Sequence, residues 1–520
     1  MAWQQNQGFN MPMYKDFVPE KLRFWITLFF PLVFQMSDAL FMGLSGPISA
    51  STSLTSNDVL FCGFCGMIGV TVTFPVLFRF KFRFTTRQIL LIVSLGMVLC
   101  NLICLNTTFM PVLALTNFIF GILKLWGSFE CFSSIMMKVS PRYNFAPFLA
   151  IVFTVVFGGI ELSGILANHV VYGLPWQYMN YIMMGLQLFV ALLVIVLMRD
   201  IRLMPLNRLY GISWIGMFLW GIVLAAFTFI FVYGDQIDWF HSPYTHIAIG
   251  VMAASLSVLV YRMFHYRHPY LEYPAFRYRN LWNILMLFFL AALIMSTESV
   301  LHHIFTEEVL HYGSLSIANL KWWVVAGILF GGFVSVQAID RWHWSYKLLT
   351  SISIGSITLY VLLMTLAISP QTPIHLFYLP MFLYGVGHVM IFIVLTTYVE
   401  GIVPLQHRFQ VLTILGFVRI GPGSAVGSAL CGHLFKAEMS RNLVALGSQV
   451  NTVSFRNNDF STIANEVVEN AMMLSLRNLY GLTTFIGILT LIILLASRYQ
   501  PQIKNTLPTL AKAFKVFSRK

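Results

Sequence analysis

The chain has 520 residues, 58% hydrophobic and 10% charged, with a mean hydropathy of +0.77. A soluble domain carries about 25% charged residues, so this composition excludes one and describes an integral membrane protein. The apolar runs are continuous rather than alternating, which excludes a β-barrel; the net charge of +13 is spread over alternate loops rather than one groove, which excludes nucleic acid as a partner.

Residues 1–21 are polar, with Lys15, Asp16, Glu20 and Lys21, and form no cleavable signal ahead of the first long apolar run. Fourteen candidate spans follow: 22–45, 58–79, 88–106, 111–137, 145–169, 177–198, 211–233, 244–264, 280–305, 320–339, 347–369, 376–399, 409–434 and 478–498. An even number puts both termini on one side. Most Lys and Arg fall in loops on that side, among them Arg79, Lys81, Arg83 and Arg87, so the positive-inside rule makes it cytoplasmic. Lys321, Lys436, Arg441, Arg456 and Arg477 fall on the other side. The fold class expected is an all-α membrane protein with fourteen transmembrane helices.

The first span carries a lone carboxylate, Asp38, in an otherwise apolar helix. An ionisable group at membrane depth costs a few kcal/mol and faces a cavity or a partner. Span two contains Cys62 and Cys65, read as small buried hydrophobes rather than a metal or redox site. Span four carries Lys124 and Glu130, six residues apart and therefore on different helix faces. Glu161 lies in span five within a glycine patch, Gly158, Gly159 and Gly164. Glu298, His302 and His303 in span nine are expected to reach outer water, and His388 in span twelve to be a satisfied polar contact.

Span thirteen, GFVRIGPGSAVGSALCG, spaces Arg419, Gly423 and Gly427 by four, a ridge on which a neighbouring helix packs closely, with Pro422 as a local irregularity. Loop 436–477 is long and polar, and its Ser461–Leu479 half is amphipathic. Two readings fit it, a packed external hairpin or a docking surface for an external adaptor protein. The basic tail 499–520 suits contact with anionic membrane lipids.

Three of these segments resemble the fourteen-span drug:proton antiporters of the major facilitator superfamily. Asp38 and Pro47 keep the interval of that family's first-span motif, in SDALFMGLSGP. Gly159-Ile160-Glu161-Leu162-Ser163-Gly164 followed by Trp176-Gln177-Tyr178-Met179-Asn180-Tyr181-Ile182 resembles its span-five antiporter motif. Phe417 to Gly427 is similar to its late segment. The chain departs from the family in FRFKFRFTTRQ after span two, which lacks the usual glycine and aspartate, and in the span-five motif, which has lost its proline and one glycine and has gained Glu161.

The resemblance implies two six-helix bundles plus two extra spans: 22–198 as the N-terminal bundle, 199–279 as the inserted pair with flanking loops, and 280–498 as the C-terminal bundle. It also implies a proton-coupled exporter of a small lipophilic, cationic or amphipathic substrate in a bacterial-type inner membrane. Such a protein is not an enzyme, needs no cofactor beyond the proton gradient and holds no metal. Asp38, Glu130 and Glu161 are the candidates for proton or cation binding, Lys124 and Arg419 for tuning the local field. Pro47, Gly159, Gly164, Gly423 and Gly427 are the packing and gating candidates. Two alternatives stand beside this reading: a dedicated exporter of one lipid or metabolite working with the adaptor, and a membrane-embedded lipid-modifying enzyme. The histidines oppose the enzyme, because His265 and His268 fall on one side and His302, His303 and His311 on the other.

Overall fold

The computed structural model describes residues 11–496 apart from 38–42, 78–80, 82, 140–144, 202–212, 267, 279 and 450–459. Among the described residues, thirteen helices are long and apolar enough to cross a membrane. They are Ser56–Val76, Thr86–Asn106, Met110–Val139, Ala146–Gly173, Gln177–Leu197, Trp214–Tyr233, Pro243–His265, Leu281–Val309, Ser314–Asp340, Tyr346–Ala367, Ile374–Ile402, His407–Gly447 and Ser461–Ala496, the counterparts of expected spans two to fourteen. The first expected span begins as helix Glu20–Met36 and runs into residues outside the described set, as does Asp38 itself. A short helix, Ser45–Ser51, follows and holds the half-buried Pro47.

Each half is closed by the same device. In the first half, spans two and four touch backbone to backbone: a Cβ on Gly69 would lie 2.1 Å from the Phe118 carbonyl oxygen, and one on Gly121 2.0 Å from that of Gly66. In the second half, spans ten and twelve repeat it, with Gly327 at 2.2 Å from the Phe382 oxygen and Gly385 at 2.2 Å from that of Val324. Spans two and four of the first set correspond to spans ten and twelve of the set nine to fourteen, so the glycines mark one internal repeat used twice. Close backbone approach replaces the hydrophobic effect as the packing force between helices in lipid.

The halves meet along two seams. Span five packs on span ten, where a Cβ on Gly332 would lie 2.3 Å from Thr154 Oγ1. Span two packs on span thirteen, with Gly416 against Thr71, and Phe129 of span four meets Phe409 edge to face at 5.9 Å. Span seven lies against span two and also against span thirteen, where Trp220 stacks on Phe417 at 4.7 Å. Span eight packs chiefly on span seven and is largely unburied, as a lipid-facing helix is.

The end of the chain differs from the loop expected. Span thirteen continues as helix to Gly447, and the last span starts at Phe460, so most of 436–477 is helical. Asn442 donates to Ser475 at 2.8 Å and Asn478 to Glu438 at 3.5 Å, which makes it a packed hairpin. The tail 499–520 lies outside the described residues.

Candidate functional site

Along helices rising 1.5 Å per residue, Lys124, Glu161 and His388 fall near the middle of their spans, and Arg419 lies in the first third of His407–Gly447. Glu161 meets Lys321 at 3.5 Å, with side chains 14% and 32% exposed. This ion pair joins span five of one half to span ten of the other. Gly164, one turn beyond Glu161, lies beside the pair: a Cβ there would be in ordinary contact with Lys321 Nζ at 3.7 Å. Lys321 corrects the sequence reading, which put it at the outer surface. The helix starts at Ser314, several residues earlier than its apolar run, and the lysine is drawn inward because Glu161 compensates its charge.

Glu298 faces the same centre rather than outer water, and interacts electrostatically with both Lys321 and Glu161. It opens a π-helical turn, Glu298–His302, which reorients the side chains of span nine. His302 is buried too, edge-on to Phe377 at 5.7 Å, and its Nδ1 has no hydrogen-bond partner among the described residues. Only His303 behaves as expected: it is exposed and pairs with Glu307 at 3.1 Å.

A second π-helical turn, Arg419–Ala425, interrupts span thirteen around Pro422. It delivers the Arg419 guanidinium to within 5.2 Å of the Phe157 ring centre and 4.9 Å of Phe392. Such contacts each contribute about 0.5–2 kcal/mol, the more so away from water. His388 joins the cluster, its ring 4.2 Å from that of Phe157 and 5.6 Å from that of Tyr384. Arg419, His388, Phe392 and Phe288 line a cavity of about 170 Å³, with Ser296, Ser299, Ser424 and Ser428 adding hydroxyls. Gly423 and Gly427 lie beside it and serve packing: a Cβ would come 2.8 Å from Ala292 Cβ and 2.9 Å from Ser296 Oγ respectively, on span nine.

The remaining candidates lie elsewhere. Glu130 is buried toward the opposite end of span four from its start at Met110, pairs with Lys81 at 3.5 Å and accepts from Thr86 Oγ1 at 2.6 Å. Lys81 also donates to Ser133. This is a loop-to-helix anchor next to the basic face, not part of the central cluster. Lys124 is buried in the first half. Gly159 lies against span one, where a Cβ would be 3.0 Å from that of Gln35. Sequence reading missed Lys321, Glu298 and His302 as central groups. The available signal was Glu161, a midspan carboxylate that required a cation from another helix.

Among the described residues, no group of three or more His, Cys, Asp or Glu side chains could hold a metal ion, and all six cysteines are free and buried. No protein-family model and no curated protein sequence matches the chain. Solved structures do. The inward-open xylose transporter XylE from E. coli superposes with a TM-score of 0.52 at 13% identity, over 95% of this chain and 99% of that one. The human organic anion transporter MFSD10 gives 0.52 at 11% identity, over 90% and 100%. A bacterial homologue of the human lysosomal transporter Spinster, inward-facing and unoccupied, gives 0.50 at 11% identity, over 93% and 99%. Thirteen spanning helices in two glycine-closed halves and these superpositions together give this multi-pass chain the major facilitator fold.

Proposed function

We propose that this chain is a proton-coupled secondary transporter that exports a small amphipathic compound by alternating access, the two halves rocking about the central cluster. The observation that carries this reading is the Glu161–Lys321 ion pair, which links span five to span ten at membrane depth with Glu298 beside it. Two carboxylates around one ammonium leave one uncompensated negative charge, and a single bound proton neutralises it. Charge at membrane depth is costly, so the protonated and deprotonated clusters favour different arrangements of the halves. Proton binding then biases which face opens. The transporters that share this fold support secondary transport as the activity. Export and a wide drug range rest on the family resemblance, and cytoplasmic termini on the positive-inside distribution of Lys and Arg. Asp38, outside the described residues, stays a second candidate proton site.

The test uses Ser299, which lines the cavity. In a background with all six cysteines replaced, Ser299→Cys is exposed to a membrane-impermeant maleimide in vesicles of both orientations. Labelling from both faces, in proportions that shift when one side is acidified, is expected. Labelling from a single face under every condition would overturn the reading.

A further inference from the structure

Span seven sits in a seam between the halves and touches both. Its middle carries Trp220, stacked on Phe417 of span thirteen at 4.7 Å, and Phe227, 3.3 Å from where a Cβ on Gly421 would lie. Its far end carries Phe229 and Tyr233, whose rings meet Phe61 of span two at 6.0 Å and 5.9 Å. The segments that flank spans seven and eight repeat this double attachment at each end.

Away from the basic face, the turn between spans seven and eight grips spans two and thirteen together. Tyr233 donates to Asp58, and Asn57 donates to Gln236 at 3.1 Å, which ties the turn to span two. Asp235 accepts from Lys436 at 2.9 Å and from His433 at 3.0 Å, which ties it to span thirteen. Trp239 donates to the same carboxylate at 2.9 Å, and its ring meets that of His433 edge to face at 5.6 Å. Asp238 and Trp239 hold φ at 59° and 47°, a backbone that non-glycine residues keep only where their surroundings impose it. On the basic face, the segment after span eight grips the same two spans. The buried Tyr270 donates to the Val72 carbonyl of span two at 2.5 Å. The Glu272 N–H donates to Gln410 of span thirteen at 3.1 Å, and the Glu272 carboxylate lies 3.4 Å from His407 Nδ1.

We infer that the inserted pair is a two-ended clasp on the seam of spans two and thirteen, whose turn end and basic-face end release one at a time as the halves rock. The inference rests on the transport reading and goes beyond it, by giving spans seven and eight a gating role. Opening one face parts spans two and thirteen there and breaks the links at that end, while the links at the other end keep the pair in place. The ends differ in strength. At the turn end the Asp235, His433 and Lys436 side chains are 26%, 53% and 69% exposed, and exposed ion pairs contribute little. At the basic-face end Tyr270 is buried, so removing its hydroxyl leaves the Val72 carbonyl without that donor. The turn end is therefore the easier to open.

Spin labels at Ser53→Cys and Ala437→Cys, exposed residues of opposite halves, report the turn end; labels at Arg83→Cys and Arg341→Cys report the basic-face end. The full-length protein carries them with its native cysteines replaced, and pulsed dipolar spectroscopy reads the separations at neutral pH. Asp235→Ala should raise the ratio of long to short separations at the turn end by about two- to fivefold, without raising it at the basic face. Tyr270→Phe should do the reverse, by about fivefold. Exchanging the charges, Asp235→Lys with Lys436→Asp, should bring the turn-end ratio back toward that of the cysteine-replaced parent. Should Tyr270→Phe fail to fold, Gln410→Ala removes the Glu272 link at the same end and takes its place. A variant that leaves its own end unchanged, or one that opens both ends alike, overturns the clasp and leaves the transport reading standing. One fixed separation at each end, with Ser299→Cys labelled from a single face, removes the transport reading and the clasp with it.

Discussion

Glu161→Gln keeps the shape of the side chain and removes its charge, leaving Lys321 with Glu298 for compensation among the described residues. At 3.5 Å and an effective dielectric near 20, the direct attraction is about 5 kcal/mol. Breaking a fully buried pair by removing one partner costs about 3–5 kcal/mol. Here the lysine is one-third exposed and Glu298 takes up part of its charge, so a coupling energy of about 1–3 kcal/mol is expected after allowance for screening. A double-mutant cycle with Lys321→Met measures it, read as thermal unfolding of the detergent-purified protein. Each single variant should lose stability, and the double variant should lose less than their sum. Strict additivity, with coupling below about 0.5 kcal/mol, would refute the pair as an energetic link between the halves.

Three further outcomes follow from the same geometry. Lys81→Ala should cost about 3 kcal/mol, because Glu130 stays buried with its countercharge gone; Lys81→Arg should restore most of the melting temperature. Gly121→Ala places a Cβ 2.0 Å from backbone at the span two contact and should destabilise by about 1–3 kcal/mol or more, whereas Gly158→Ala, with nothing within 4 Å, should melt as wild type or slightly higher. Asp235, in the turn between spans seven and eight, is pushed upward by burial but more strongly downward by donors from Lys436 at 2.9 Å, His433 at 3.0 Å and Trp239 at 2.9 Å, so its carboxyl sits below its ordinary value of 3.8. A depressed carboxylate stabilises the fold at neutral pH and loses that contribution as pH falls through its lowered value. Melting curves from pH 7 to pH 3 should therefore fall less steeply below about pH 4 in Asp235→Asn than in wild type.

Helix positions were legible in the chain because a membrane imposes one length on every span, and an apolar run of that length has few other uses. Glu161 and Arg419 stood out for the same reason, as charges in places where charge is costly. Their surroundings were not legible. Lys321 and Glu298 lie near span ends by hydropathy, and only the helix start at Ser314 and the π turn at Glu298 bring them to the centre. Both depend on contacts with other helices rather than on local sequence. Glu130 shows the converse: its place inside an apolar run conceals an anchor to Lys81, a residue of the loop whose departure from the family pattern made its role unreadable. The cavity was hidden as well, because Phe288, His388, Phe392 and Arg419 come from three different spans.

In the proposed transport cycle the two halves rock about the Glu161–Lys321 pair. Spin labels at Arg83→Cys, in the turn between spans two and three, and Arg341→Cys, after span ten, sit exposed on the basic face of opposite halves. In the cysteine-replaced background, pulsed dipolar spectroscopy should resolve a short and a long separation whose populations exchange between acidic and neutral pH, and Glu161→Gln should suppress that exchange. One separation, unchanged by pH and by the substitution, would contradict it.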